Sequence, residues 1–220
     1  IGGTLSQQLS EETSQTYEIG FEQPWLSMGK QGRVAFNATY FYTDYNAHIQ
    51  ELQLIANSHV HGIEASFKYN PVSWLEIYSN YTFTHAINDD DGSNFSNVPR
   101  HLLNSGFTVE PIENLSFNFH ARSVSSRLLA TTLSTDALGD LGLAFFDGSS
   151  NAAGTSLPSY YTLNIAASYK HELKLSWLNE LTYSLRVNNI LDNAYQERFG
   201  YPMPGFNFLA GITARFKEDG

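Results

Sequence analysis

Apolar and polar residues alternate along most of this chain, and this pattern constrains its fold more than any other feature of the sequence. In GRVAFNATYFYTDY (residues 32–45), Val34, Phe36 and Tyr40 share one parity, while Asn37 and Thr39 lie between them. The same alternation recurs in WLEIYSNYTFTHA, LSFNFHAR, YTLNIAASYK and LTYSLRVNN. Because successive side chains of a strand point to opposite faces, each stretch predicts a strand with one apolar and one polar face.

The pattern predicts about nine strands over the whole chain. We expect them near residues 15–23, 33–45, 59–69, 74–86, 101–109, 115–127, 159–170, 180–190 and 206–216. Most are about 9 to 13 residues long, which is the length that a tilted strand needs to cross a bilayer. The spacing therefore favours an all-β fold built from membrane-crossing strands.

Composition favours a membrane over water as the surroundings of the apolar face. Charged residues make up 15% of the chain, against about 25% in a typical soluble domain, whereas aromatic residues reach 14%. No run of about 18 apolar residues could form a transmembrane helix. The chain is therefore predicted to be part of an antiparallel transmembrane β-barrel. The residues expected near the middle of its lipid face are Phe36, Ile77, Phe117, Ile165 and Ile212.

The connections between the predicted strands alternate between two lengths. The shorter ones lie near residues 24–32, 70–73, 110–114 and 171–179, and the longer ones near 46–58, 87–100, 128–158 and 191–205. All three tryptophans, Trp25, Trp74 and Trp177, fall at or beside the short connections. Short periplasmic turns, long extracellular loops and an aromatic girdle are typical of an outer-membrane barrel.

The last strands carry a recognisable motif. LRVNNILDNAY, followed by GYPMPGFNFLAGITARF, resembles the C-terminal hallmark of TonB-dependent outer-membrane receptors. The matching positions are Asn189, Asp192, Tyr195, Pro204, Gly205 and Phe216. Further segments that resemble the family, in the same order, are Tyr17 to Gly20, Gly62 to Glu64, Pro99 to His101 and Leu157 to Tyr160.

The resemblance implies a fold and partners. Receptors of this family have a 22-stranded barrel and an N-terminal plug, so residues 1–220 are expected to be the C-terminal portion of such a barrel, with the plug absent from this chain. The implied partners are the remainder of the receptor including the plug, the TonB complex, outer-membrane lipid and lipopolysaccharide, and the barrel assembly machinery. That machinery is expected to read Phe216, although Lys217 to Gly220 extend the chain beyond the usual aromatic end.

Several other residue patterns carry little evidence for chemistry. His59 and His61 have the spacing of a metal pair on one strand face, but their parity matches the lipid face, so we expect surface histidines beyond the membrane edge.

Asp89 to Asp91 lack the spacing of a calcium loop and are expected at a solvated loop tip. Ser116 and His120 lie about 13 Å apart on a strand, too far for a nucleophile and its base. No catalytic residue, metal site or cofactor is predicted.

Candidate ligand contacts lie in the two long connections near the C-terminus. The connection at 128–158 carries Phe145 and Phe146, and the connection at 191–205 carries Tyr195, Phe199 and Tyr201. We expect these aromatic residues to contact a ligand at the extracellular loops. The polar faces also place Arg122, Arg186 and Arg215 toward the lumen, where we expect them to contact the plug or to balance carboxylates such as Glu64 and Glu76.

Three functions are compatible with these features. The resemblance implies TonB-energised uptake of a scarce nutrient such as a ferric siderophore, haem or cobalamin. The first alternative is a passive porin-like or structural barrel, which would have the same strands without a plug. The second alternative is an outer-membrane enzyme, which would need a catalytic cluster at one rim of the barrel. The net charge of -10 argues against nucleic acid as a partner.

Overall fold

The computed structural model describes residues 12–50, 53–129, 156–173, 175 and 177–217. Nine long strands form one antiparallel sheet in which each strand pairs with the next along the chain. They are β1 (Thr13–Ser27), β2 (Arg33–Gln50), β3 (Gln53–Val72), β4 (Leu75–Asn88), β5 (His101–Ile112), β6 (Leu115–Val124), β9 (Tyr160–Glu172), β10 (Leu178–Asn188) and β13 (Asn207–Phe216). The predicted all-β meander of nine strands is confirmed.

Where the structure describes the connections, they contain four shorter strands and one short helix. A single 3-10 turn, η1 (Gly29–Gln31), joins β1 to β2. The strands β7 (Arg127–Leu128) and β8 (Ser156–Leu157) pair with each other above the sheet, as do β11 (Gln196–Arg198) and β12 (Tyr201–Pro202). The predicted strand 115–127 was therefore too long, because the chain leaves the main sheet after Val124 and Arg127 belongs to a separate ribbon.

The register places the predicted lipid-facing residues together. Phe36 lies opposite Phe67, Ile77 opposite Phe107, and Ile165 opposite Phe119. Since cross-strand partners share a face, following the register from strand to strand brings Phe36, Ile77, Phe117, Ile165 and Ile212 onto one face of the sheet. We call this the outer face. The opposite, inner face carries the small and polar residues.

On the inner face, two aromatic rings lie across glycines of the neighbouring strand. A Cβ atom built on Gly106 would come within 2.5 Å of the Tyr78 hydroxyl, and one on Gly62 within 2.7 Å of the Phe41 ring. Asn118 Nδ2 and His120 Nδ1 lie 3.3 and 3.2 Å from the same Tyr78 hydroxyl. The main-chain oxygens of Phe83 and Phe119 lie closer still to the Gly62 and Gly106 positions, so backbone and ring together leave no room for a side chain.

The connection predicted at 46–58 is largely strand. Pairing between β2 and β3 continues from Asn46 opposite Asn57 to Gln50 opposite Gln53. This segment was expected to be a connection because the alternation is not continuous through it, but the antiparallel ladder needs only backbone partners and extends to Gln50 and Gln53. The result is a single hairpin of 18 and 20 residues, the two longest strands of the sheet.

The two ends of the sheet differ as predicted. At the short-turn end, Trp25, Trp74 and Trp177 are exposed, and Trp177 stacks on Phe216 with ring centroids 6.0 Å apart. At the other end, the loop after β4 folds back so that Phe95 is buried against Ala86, with Val60 and Val98 packed beside them. We call this end the mouth.

No helix among the described residues has the length and apolarity to span a membrane.

Candidate functional site

The connection between β10 and β13 has a tight neck held by Asn189. This side chain is 2% exposed, and its Nδ2 donates to the carbonyl oxygens of Asn193 and Pro204 at 2.9 and 3.3 Å. Its Oδ1 accepts from the amide of Asn193 at 3.1 Å. Asn189 has φ of 49°, a left-handed conformation that asparagine tolerates better than most residues. One buried amide therefore ties together both ends of a long connection.

Asp192 completes the neck. Its Oδ1 accepts a 2.7 Å hydrogen bond from the amide of Phe206. A Cβ atom on Gly205 would collide with this same oxygen, so glycine is required where the carboxylate approaches. The motif residues Asn189, Asp192 and Gly205 thus have a structural role, which is to close the neck so that the hairpin beyond it projects in one direction.

The hairpin beyond the neck, β11–β12, reaches across to the β6–β9 side of the mouth. Arg127 Nη2 donates a 2.8 Å hydrogen bond to the carbonyl oxygen of Gln196. Glu197 Oε1 accepts from the Tyr160 hydroxyl at 2.9 Å and lies 3.5 Å from Arg122 Nη2. We call Arg122, Arg127, Tyr160 and Glu197 the mouth site.

Cationic charge exceeds anionic charge within the mouth site. Two guanidinium groups face one carboxylate, so these four residues carry one net positive charge. Arg127 is only 7% exposed, and its guanidinium lies 5.7 Å from the centre of the Tyr160 ring. The Nε atoms of Arg122 and Arg127 are buried and have no hydrogen-bond partner among the residues that the structure describes. The positive charge of the two guanidinium groups favours an anionic ligand.

A cavity of about 360 Å³ lies beside the mouth site and shares Arg127 with it. Its lining includes the apolar side chains Phe95, Val98 and Leu128 and the polar side chains Arg100, Ser126 and Arg127. Thr84, His85, Asn94 and Ser156 also line it, so the cavity presents both apolar and polar side chains.

The predicted ligand contacts are only partly brought together. Tyr195 stacks on Tyr160 with ring centroids 4.3 Å apart and so belongs to the wall of the mouth site. Phe199 and Tyr201 lie at the tip of the hairpin and are 49% and 65% exposed. Phe145 and Phe146 lie outside the described residues. Ligand contact by any of these aromatic residues stays a prediction.

Sequence reasoning did not identify Arg127, Tyr160 and Glu197 as site residues. Tyr160 was visible as the end of the Leu157 to Tyr160 motif, but its partner Glu197 lies 37 residues away and only the fold joins them. Arg122 was expected to balance Glu64 or Glu76 or to contact the plug. In the structure its carboxylate partner is Glu197 instead.

The histidine pair lies on the outer face at the mouth end, as its parity predicted. His59 Nδ1 lies 2.6 Å from Asp89 Oδ1, and the rings of both histidines stack beside Tyr42. Among the described residues, no group of three His, Cys, Asp or Glu side chains is placed to hold a metal ion. The geometry therefore shows a histidine–carboxylate pair at the surface.

Asp89 to Asp91 form the turn after β4. The Asp91 carboxylate accepts a 2.8 Å hydrogen bond from the Ser93 amide, and the hydrogen bonds from Ser93 hold the pKa of Asp91 below its usual value. This is the geometry of a capped, exposed turn, as predicted.

His120 contacts Tyr78 rather than Ser116.

Comparison with known proteins places these features in a family. The sequence model described as "TonB dependent receptor-like, beta-barrel" matches residues 2–190. Among solved structures, the chain is similar to a mutant of the ferric enterobactin receptor PfeA of Pseudomonas aeruginosa in complex with enterobactin, with a TM-score of 0.70 and 18% identity over 92% of this chain. None of the curated protein sequences searched matches the chain.

Two further structures show the same fold. The copper transporter OprC gives a TM-score of 0.67 at 14% identity over 93% of this chain, and the ferric yersiniabactin uptake receptor FyuA of Yersinia pestis gives 0.61 at 19% over 93%. This chain spans 31% of PfeA, 31% of OprC and 29% of FyuA. It therefore corresponds to slightly less than a third of these solved chains.

Proposed function

Since this chain belongs to the TonB-dependent receptor-like β-barrel family, we propose that it forms the ligand-binding C-terminal part of a receptor that imports a scarce nutrient with energy supplied through TonB. Barrels of this family lie in the bacterial outer membrane, and that is the location of this chain. The family and its structural neighbours are transport receptors rather than enzymes.

The remainder of the receptor is a necessary partner in this proposal. Within the described sheet, β1 and β13 each pair with one neighbour only. An unpaired strand edge in lipid leaves backbone groups without hydrogen bonds, each costing several kcal/mol. Further strands of the same receptor would supply these bonds, and a plug domain inside the barrel would connect the ligand to TonB. The barrel assembly machinery and lipopolysaccharide are the remaining proposed partners.

The observation that carries the proposal is the inner-face mouth site beside its cavity. With the short turns at the periplasmic side, the mouth opens to the exterior, where a nutrient arrives. The substrate class we propose is a ferric siderophore, haem or cobalamin. Excess guanidinium charge at the mouth suits the anionic members of this class, which are ferric siderophores with negative charge and haem with its propionates. The solved neighbours include receptors named for ferric chelates and one named for copper, and their low identity does not choose among these substrates.

The test is whether uptake depends on energy. The full receptor would be expressed in a bacterium lacking its own siderophore receptors, and radioactive iron supplied as a panel of siderophore and haem complexes. We expect uptake of at least one complex, and that uptake should stop when TonB is deleted or the proton gradient is collapsed. Uptake that continues in both conditions would favour the passive porin-like barrel.

A further inference from the structure

We propose that the mouth site binds a carboxylate-bearing ligand, and that Glu197 occupies the position of one ligand carboxylate while the receptor is empty. The inference rests on the proposed function in one respect, that ligands enter from the mouth side. It deepens that function by naming the chemical group that is recognised and the residue that competes with it.

The first argument is that Glu197 satisfies the site incompletely. Its Oε1 makes one good hydrogen bond, to Tyr160 at 2.9 Å, but lies 3.5 Å from Arg122 Nη2. Charge-assisted pairs between guanidinium and carboxylate prefer about 2.7–2.9 Å and two parallel bonds. A free carboxylate could approach the guanidinium groups more closely than one tethered to the hairpin.

The second argument is that Glu197 can leave. Side chains of the Arg122–Glu197 pair are 39% and 46% exposed, so both have access to water and to an incoming ligand. The neck at Asn189 and Asp192 is separate from the hairpin tip, where Gly200 has φ of 80° and Phe199 and Tyr201 are exposed. Displacing Glu197 would therefore need only its side chain to swing away, while the Arg127–Gln196 hydrogen bond and the neck keep the hairpin in place.

The third argument concerns what lies next to the carboxylate position. Arg127 borders both the mouth site and the cavity, whose lining is apolar at Phe95, Val98 and Leu128. A ligand with a carboxylate on the guanidinium groups would thus have a cavity of about 360 Å³, apolar on part of its wall, within reach for its body. A simple inorganic anion would bind the guanidinium groups and leave the cavity empty.

The experiment measures citrate binding to the purified full receptor, with citrate as the carboxylate probe. Glu197→Gln keeps the size of the side chain and removes its charge, so the internal competitor is weakened. We expect this variant to bind citrate about tenfold more tightly than the wild type, which corresponds to about 1.4 kcal/mol. Glu180→Gln is the matched control, because Glu180 contacts Thr182 near the short-turn end and should leave citrate affinity unchanged.

A double-mutant cycle separates competition from general electrostatics. If Glu197 competes for Arg122, the gain from Glu197→Gln should disappear in an Arg122→Gln background. A gain in citrate affinity that persists without Arg122 would overturn the inference. The inference would also be overturned if wild type and Glu197→Gln bound citrate equally well, or if neither bound it. Glu197→Asp, which retracts the carboxylate by one methylene, should show a smaller gain and serves if the glutamine variant fails to fold.

Because this binding assay needs no TonB, its outcome is independent of the transport test. Energy-dependent uptake together with unaltered citrate binding in Glu197→Gln would reject this inference alone. Tighter citrate binding in that variant, without energy-dependent uptake, would reject the proposed transport function alone.

Discussion

Arg127 and Gln196 are 69 residues apart in the chain, and a 2.8 Å hydrogen bond joins the guanidinium of the first to the main-chain carbonyl of the second. This bond connects the base of the β7–β8 ribbon to the β11–β12 hairpin. The geometry of the mouth therefore depends on contacts between connections as well as on the sheet below them.

Arg127→Lys should loosen the hairpin without unfolding the barrel. Lysine keeps the charge but lacks the planar fork, so the carbonyl of Gln196 loses its partner, at a cost of about 1–3 kcal/mol to local stability. Hydrogen exchange of residues 195–203 should become faster, while exchange in β10 stays unchanged. Arg186→Lys, on β10 below the mouth, is the control. If the amides of the hairpin exchange equally slowly in both variants, the role assigned to the Arg127–Gln196 hydrogen bond is contradicted.

Arginine on the outer face should destabilise the barrel. Phe117→Arg or Ile165→Arg would place a charge near the middle of the lipid face, at a cost of about 2–4 kcal/mol. Ser168→Arg is the matched control, since Ser168 lies opposite Ser116 and Ser184 on the inner face. A folding titration of the full receptor in lipid measures these differences. Unchanged stability for both outer-face variants would refute the assignment of the faces.

Phe216→Ser should lower the amount of receptor in the outer membrane. Phe216 ends β13, is 60% exposed and stacks on Trp177, so it is available to the assembly machinery at the short-turn end. Phe208→Ser removes a similarly exposed aromatic from the same strand and face, and should reduce the level much less. Immunoblots of outer-membrane fractions test this. Ligand affinity of the receptor that does assemble should remain that of the wild type.

Gly106→Ala should destabilise the inner face more than Gly211→Ala. At Gly106 the added methyl group meets the Tyr78 ring and the backbone oxygen of Phe119, whereas at Gly211 it meets only the Ser184 hydroxyl, at 3.0 Å. Overpacking against backbone costs about 1–3 kcal/mol. Urea unfolding of the two variants in lipid gives the comparison, and a difference below about 0.5 kcal/mol would count against the close approach of Tyr78.

The strands were predictable because a two-residue period assigns each residue to a face wherever the strand pairing is uninterrupted. Phe36 and Ile212 lie on the same face because the register shifts between them lie at the ends of strands, beside the short turns, and leave the central pairing intact. The connection at 46–58 was misread because the two-residue alternation is not continuous through it: the apolar residues change parity from Ala47 and Ile49 to Leu52 and Leu54.

The mouth site was harder to predict because its residues come from separate connections. Tyr195 was selected as an aromatic residue on a long loop, and it does stack on Tyr160. Nothing in the local sequence of Glu197 indicates that it meets Tyr160, since that contact depends on the direction in which the neck at Asn189 sends the hairpin. The periodicity of a sequence predicts which face of the sheet a residue lies on. Contacts between loops become visible only in the three-dimensional structure.

The length of the β2–β3 hairpin affects which part of the receptor is accessible at the cell surface. Strands of 18 and 20 residues, at about 3.3 Å per residue, extend to about 60 Å. A tilted crossing uses only about 9–11 residues of each strand. In the proposed orientation, nearly half of the hairpin therefore lies in the aqueous space outside the membrane, with its two strands paired as far as Gln50 and Gln53. This part of the receptor would then be open to an antibody, which makes it a suitable place to attach a label on living bacteria.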